Sequence, residues 1–175
     1  MRKYVLTLLG LLAFAAPAWA QNDYPRGEFF LGYSYANIDL IADRVHAAGF
    51  EVSGTGNPHR NFGIEGDVSG HFGSLGGRRF QNWLFLGGPR AAGRFHRATP
   101  FAHALFGANH FRMAGESSTD FAMAYGGGLD VNVSDHVALR AVQADYVYIR
   151  LSETGIHENS HSVRLSFGLT FLWGR

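Results

Sequence analysis

Apolar and polar positions alternate along most of this chain, most regularly near its C-terminus. From Ser162 to Trp173 one parity reads Val163, Leu165, Phe167, Leu169, Phe171 and Trp173. The other reads Ser162, Arg164, Ser166, Gly168, Thr170 and Leu172. Successive side chains of a strand point to opposite faces, so this segment predicts a strand with one apolar face and one small, polar face. Gly27 to Ala36 behaves the same way, with Phe29, Leu31, Tyr33 and Tyr35 opposed to Glu28, Phe30, Gly32 and Ser34.

The same period predicts strands over Gly49–Asn57, Phe62–Phe72, Phe80–Arg90, Pro100–Phe111, Phe121–Val133 and Val137–Arg150. In Phe80–Arg90, Trp83, Phe85, Gly87 and Pro89 share one face and Leu84, Leu86, Gly88 and Arg90 the other. Pro89 lacks an N–H and is expected near a strand end or a bulge. In Val137–Arg150 the parity slips between Arg140 and the pair Gln143 and Asp145. A β-bulge near Ala141–Val142 would return all three to one side. Turn-rich residues mark short connections at Asn57–Asn61, Arg94–Thr99 and Ser134–His136. Longer connections are expected at Asn37–Ala48, Gly73–Arg79, Arg112–Asp120 and Ser152–His161.

Eight strands whose connections alternate long and short predict an all-β fold, an eight-stranded antiparallel transmembrane β-barrel. Lipid offers no hydrogen bonds to a strand edge, so a membrane-spanning sheet has to close on itself. A soluble barrel with an apolar lumen has the same alternation. Three features favour the membrane: aromatics at strand ends (Tyr33, Tyr35, Tyr146, Tyr148, Phe171, Trp173), charged residues inside strands, and a last strand rich in aromatics.

Composition adds the compartment. Arg2 and Lys3, the apolar run Tyr4–Ala16, Pro17 and Ala18-Trp19-Ala20 form a signal-peptide pattern, giving a leader at 1–20 and a barrel domain at 21–175. The apolar run is too short to span a bilayer, which takes about 20 residues. Without Arg2 and Lys3 the formal net charge of +1 becomes −1, which gives no support for nucleic-acid binding. There is no cysteine, and Lys3 is the only lysine. Every basic residue of the mature part is thus arginine or histidine, and arginine suits partly buried ion pairs.

Several segments resemble one family. They are Gly32-Tyr33-Ser34-Tyr35, Gly54-Thr55-Gly56-Asn57, Gly66-Asp67-Val68-Ser69-Gly70-His71, Gly88-Pro89-Arg90, Thr99 to Gly107, Gly126-Gly127-Gly128-Leu129-Asp130, and Arg140 to Tyr146. In this order they resemble the small outer-membrane β-barrels similar to the OmpA N-terminal barrel, the porin-family barrels. The resemblance implies location in the cell outer membrane of a Gram-negative bacterium. It also implies outer-membrane lipid and the assembly machinery as partners, and a monomer. It stops with the barrel, so no cell-wall anchoring is expected from it.

The inward parity gathers the candidate site: Glu28, Glu51, Glu65, Asp67, Asp130 and Asp145 against Arg90, Arg140 and Arg164. Ionisable groups at membrane depth pair with one another or face water. The set therefore reads as a salt-bridged plug that fills the barrel, or as the lining of a narrow polar pore. His71 and His103 are expected to join it. His157 and His161, four apart, are read as solvated loop residues in preference to a metal pair, because the loop has no helical pattern. The run His157 to Ser162 holds the residue types of a lipid-modifying hydrolase without its motif context. Gly126-Gly127-Gly128 is followed by no helix and is read as a place where the strand bends. The expected function is structural or weakly pore-forming, with no cofactor, metal or enzymatic activity. The alternatives are an adhesin or binding protein acting through its external loops, and a lipid-modifying enzyme.

Overall fold

The computed structural model describes residues 24–40, 43–75, 78–113, 116–150 and 159–174. The expected leader, with His157 and Glu158 of the last connection, lies outside them. Among the described residues all regular structure is strand: β1 Gly27–Leu40, β2 Asp43–His59, β3 Phe62–Leu75, β4 Arg78–Ala92, β5 Ala98–Met113, β6 Glu116–Asn132, β7 Val137–Arg150 and β8 Asn159–Trp173. Each pairs antiparallel with its sequence neighbours, and β8 returns to β1 to close the barrel. No strand edge is then left open to the membrane.

The register sets the tilt. The ladder runs from Phe29 through Gly54, Gly66, Gly87, Phe106, Met123, Tyr148 and His161, and meets β1 again at Asp39, ten residues further on. Such a stagger tilts the strands and leaves an interior just wide enough for side chains to fill. One end of the barrel carries the first and last described residues, Tyr24 and Gly174, and the turns at 60–61, 93–97 and 133–136; we call it the terminal end. The other, the distal end, carries the connections after β1, β3, β5 and β7.

The expected alternation of long and short connections is not what forms. The segments expected as long loops are largely strand: β1 and β2 leave only 41–42 between them, β3 and β4 only 76–77, and β5 and β6 only 114–115. There the outer face turns polar, at the exposed His46, Arg79 and Arg112, so the apolar period vanishes while backbone pairing continues. Tyr33 and Tyr35 consequently lie in the middle of β1, whereas Phe171 and Trp173 do end β8.

The outward parity makes a continuous apolar wall. Leu31, Phe50, Ile64, Phe85, Phe106, Tyr125, Val142, Tyr146, Leu165, Phe167 and Leu169 are all exposed. So large an apolar surface on a closed barrel is what lipid contact demands. One local irregularity falls where the sequence places it. The β6–β7 and β7–β8 registers shift around Ala141, which turns Arg140 and Gln143 both inward. The β4–β5 pairs pass from Gly87↔Phe106 to Arg90↔His103 without a change of register, so no bulge forms at Pro89, which lies three residues before the end of β4.

Candidate functional site: the buried interior

All nine inward charged residues are at least 98 % buried. They form one connected set with His103 and Gln143. Arg140 grips Asp130 with two nitrogens, Nε to Oδ1 at 2.8 Å and Nη2 to Oδ2 at 3.2 Å. Its Nη1 donates to Gln143 Oε1 at 2.6 Å. Its guanidinium lies 4.0 Å from the Phe30 ring centroid and 4.5 Å from that of Phe101. A desolvated cation against aromatic faces gains about 2 kcal/mol.

Arg90 reaches Asp130 and Glu28 at 3.1 Å each and donates to Thr55 Oγ1 at 3.1 Å. It also stacks on Phe101, 4.0 Å from the centroid. Arg164 ties three strands together. Its Nη2 donates to Asp145 at 2.7 Å, and its Nη1 donates to Asp67 at 2.9 Å and Ser69 at 2.8 Å. Glu51 is held by Gln143 Nε2 at 2.8 Å and by the Ser166 hydroxyl at 2.6 Å. His103 bridges two carboxylates, Nδ1 to Glu65 at 3.0 Å and Nε2 to Asp145 at 2.8 Å. That geometry uses an N–H on each ring nitrogen. His71 is fully buried and bonds Ser34 at 2.9 Å.

The glycine run of β6 makes room for this set. A Cβ on Gly126 would sit 2.0 Å from Asp145 Oδ1 and 2.4 Å from the Ala144 carbonyl, and one on Gly128 would sit 2.8 Å from the Phe101 ring. These glycines admit the Asp145 carboxylate and the Phe101 ring to the inner wall, a role beyond the expected bending.

The inner wall is not uniformly polar, contrary to the simple inside-polar pattern. Leu84 and Leu86 of β4, Leu105 of β5, Ala122 and Ala124 of β6, and Val147 and Ile149 of β7 form a buried apolar cluster. On each of these four strands it lies on the distal side of the charged residues Arg90, His103, Asp130 and Asp145. A second cluster, Ala36, Ala47 and Phe80, with Phe111 and Met113 against it, lies nearer still to the distal end.

Sequence reasoning missed Arg94 and Asn57. Both hold Glu28 Oε1, Arg94 Nη2 at 2.6 Å and Asn57 Nδ2 at 2.8 Å. Arg94 belongs to a turn, where no parity marks it as inward. The hydrolase-like run forms no Ser–His pair among the described residues, because Ser160 and Ser162 point inward while His161 is exposed beside Tyr146.

The model of the outer membrane protein beta-barrel domain family matches residues 6–171. No curated protein matches the chain by sequence. Solved structures that share its fold include the three that follow. Neisserial surface protein A (NspA) is 12 % identical at a TM-score of 0.69, over 87 % of this chain and all of that one. Ail, the attachment invasion locus protein of Yersinia pestis, is 16 % identical at a TM-score of 0.60, over 85 % and 98 %. The outer membrane protein OprG from Pseudomonas aeruginosa is 11 % identical at a TM-score of 0.55, over 87 % and 98 %.

Proposed function

The chain belongs to the outer membrane protein beta-barrel domain family, and from that premise we propose that it is a monomeric structural barrel of the outer membrane, closed at rest by its own side chains. The single observation that carries this reading is the complete burial of Arg90, Arg140 and Arg164 among carboxylates drawn from five strands. A guanidinium with 2 % exposure or less has no water file beside it. The terminal end faces the periplasm and the distal end faces outward. The partners are outer-membrane lipid around the apolar wall and, during biogenesis, the assembly machinery. Catalysis has no place in this reading. Any conductance requires the Arg–carboxylate pairs to open, so the pore role is weak and conditional.

Planar-bilayer recording tests it. Wild type should give rare, small openings. Arg140→Gln, which removes the double grip on Asp130, should open more often. Steady large conductance by the wild type would refute the closed state. Silence of both proteins would remove the pore role and leave the structural one.

A second reading is favoured by one observation. Arg79, Arg112 and Arg150 are exposed close to the distal end. An outward cationic rim fits an adhesin or binding protein for an anionic partner. Binding of the folded barrel to immobilised heparin, lost in the triple glutamine variant, would support it.

A further inference from the structure

At the terminal mouth three connections meet: the segment before β1, the β2–β3 turn and the β4–β5 turn. Between them is a cavity of about 350 Å³, lined by Arg60, Arg94, His96, Thr99 and Asn132 together with Pro25 and Phe95. Two like charges are held side by side here by the backbone. Arg94 Nε donates to the Arg60 carbonyl at 2.7 Å, and Arg60 Nη2 donates to the Arg94 carbonyl at 3.4 Å. The turn is fixed further by backbone bonds from Gly93 to Pro100 and from Asn132 to Arg97. Among the described residues Glu28 is the one carboxylate paired with either arginine, and it is shared with Arg90.

We infer that this mouth cavity is a binding site for a phosphate group. The Arg60 guanidinium, with an imidazole, a hydroxyl and an amide on the same lining and the Arg94 side chain beside them, offers donors from several directions. That suits the tetrahedral oxygens of a phosphate better than a flat carboxylate. Like charges fixed together at an open mouth are relieved by a bound anion. The site lies beside the apolar wall: Phe95 of the same turn is 67 % exposed and Val133 of the next turn 70 %. Phosphate can therefore arrive from the aqueous side or as the headgroup of a phospholipid. This inference goes beyond the closed-barrel reading and stands whether or not the barrel conducts.

The test uses the folded barrel, its folding verified by heat-modifiable gel mobility. In zwitterionic micelles inorganic phosphate is titrated by calorimetry against chloride at equal ionic strength. In nanodiscs the retention of phosphatidylglycerol is read by native mass spectrometry. Arg60→Gln should weaken binding about tenfold, the effect of losing one charge-assisted hydrogen-bonding partner. His96→Gln should weaken it less, and Arg112→Gln at the distal end should leave it unchanged. Loss in the phosphate titration identifies free phosphate as the ligand. Loss confined to lipid retention identifies the headgroup. Equal behaviour of wild type and Arg60→Gln in both arms, or an equal effect of Arg112→Gln, overturns the site.

Discussion

The two halves of the interior exclude water by opposite chemistry. One half of the filling is ionic: Arg90, Arg140 and Arg164 are held to carboxylates at 2.7–3.2 Å. The other half, on β4–β7 and distal of the charges of those strands, is the cluster of Leu84, Leu86, Leu105, Ala122, Ala124, Val147 and Ile149. The ionic half bears the desolvation of each charge and recovers it only through matched partners. The apolar half requires only volume and shape. The barrel thus places its directional contacts in one half and its tolerant packing in the other.

The comparison breaks most visibly at Arg164. Arg164→Ala leaves Asp145 and Asp67 buried without their cation and should cost about 3–5 kcal/mol, read by urea unfolding in lipid vesicles. Arg164→Lys should recover little, since one ammonium cannot reproduce the fork that meets Asp145, Asp67 and Ser69. A loss below about 1 kcal/mol for the alanine variant would mean that the ionic half is not held by its pairs. Leu105→Ala, in the other half, should cost about 2–4 kcal/mol. Leu105→Met should cost less than about 1.5 kcal/mol, so the apolar half should forgive the conservative change that the ionic half does not. Gly126→Ala sits between the halves. Its new methyl meets Asp145 Oδ1 and the Ala144 carbonyl, for a cost of about 1–3 kcal/mol. Stability equal to wild type there would mean that the inner wall gives way easily.

Much of this arrangement is legible in residue order. The alternation in Ser162–Trp173 assigns both faces of β8, and the slip between Arg140 and Gln143 locates the bulge. The nine charged residues follow from parity once the bulge in β7 is allowed, because on a half-buried strand the inward set is every second residue. Leu84 and Leu86 share a face with Arg90 in that same reading, yet the apolar cluster emerges only when the closed register brings them near Leu105 and Val147. Partner choice was hidden for the same reason. Arg164 meets Asp67, 97 residues away, through the stagger of the closed barrel, which no local period encodes. Arg94 was invisible because turns have no parity. The strand extensions around His46 and Arg79 were read as loops because alternation ends where the apolar belt ends, although pairing does not.

The central claim is that the charged half is a closed plug. The absence of cysteine from the sequence gives it a clean test. Ser53 points inward at 2 % exposure in the ionic half, while Ser117 is exposed on the outer face of β6. Single cysteines at these positions, in the folded barrel in vesicles, are treated with a small water-soluble thiol reagent. The account predicts rapid labelling of Ser117→Cys, and labelling of Ser53→Cys only after unfolding. Labelling of Ser53→Cys in the folded barrel at a rate near that of Ser117→Cys would contradict it, because water would then run past the arginines.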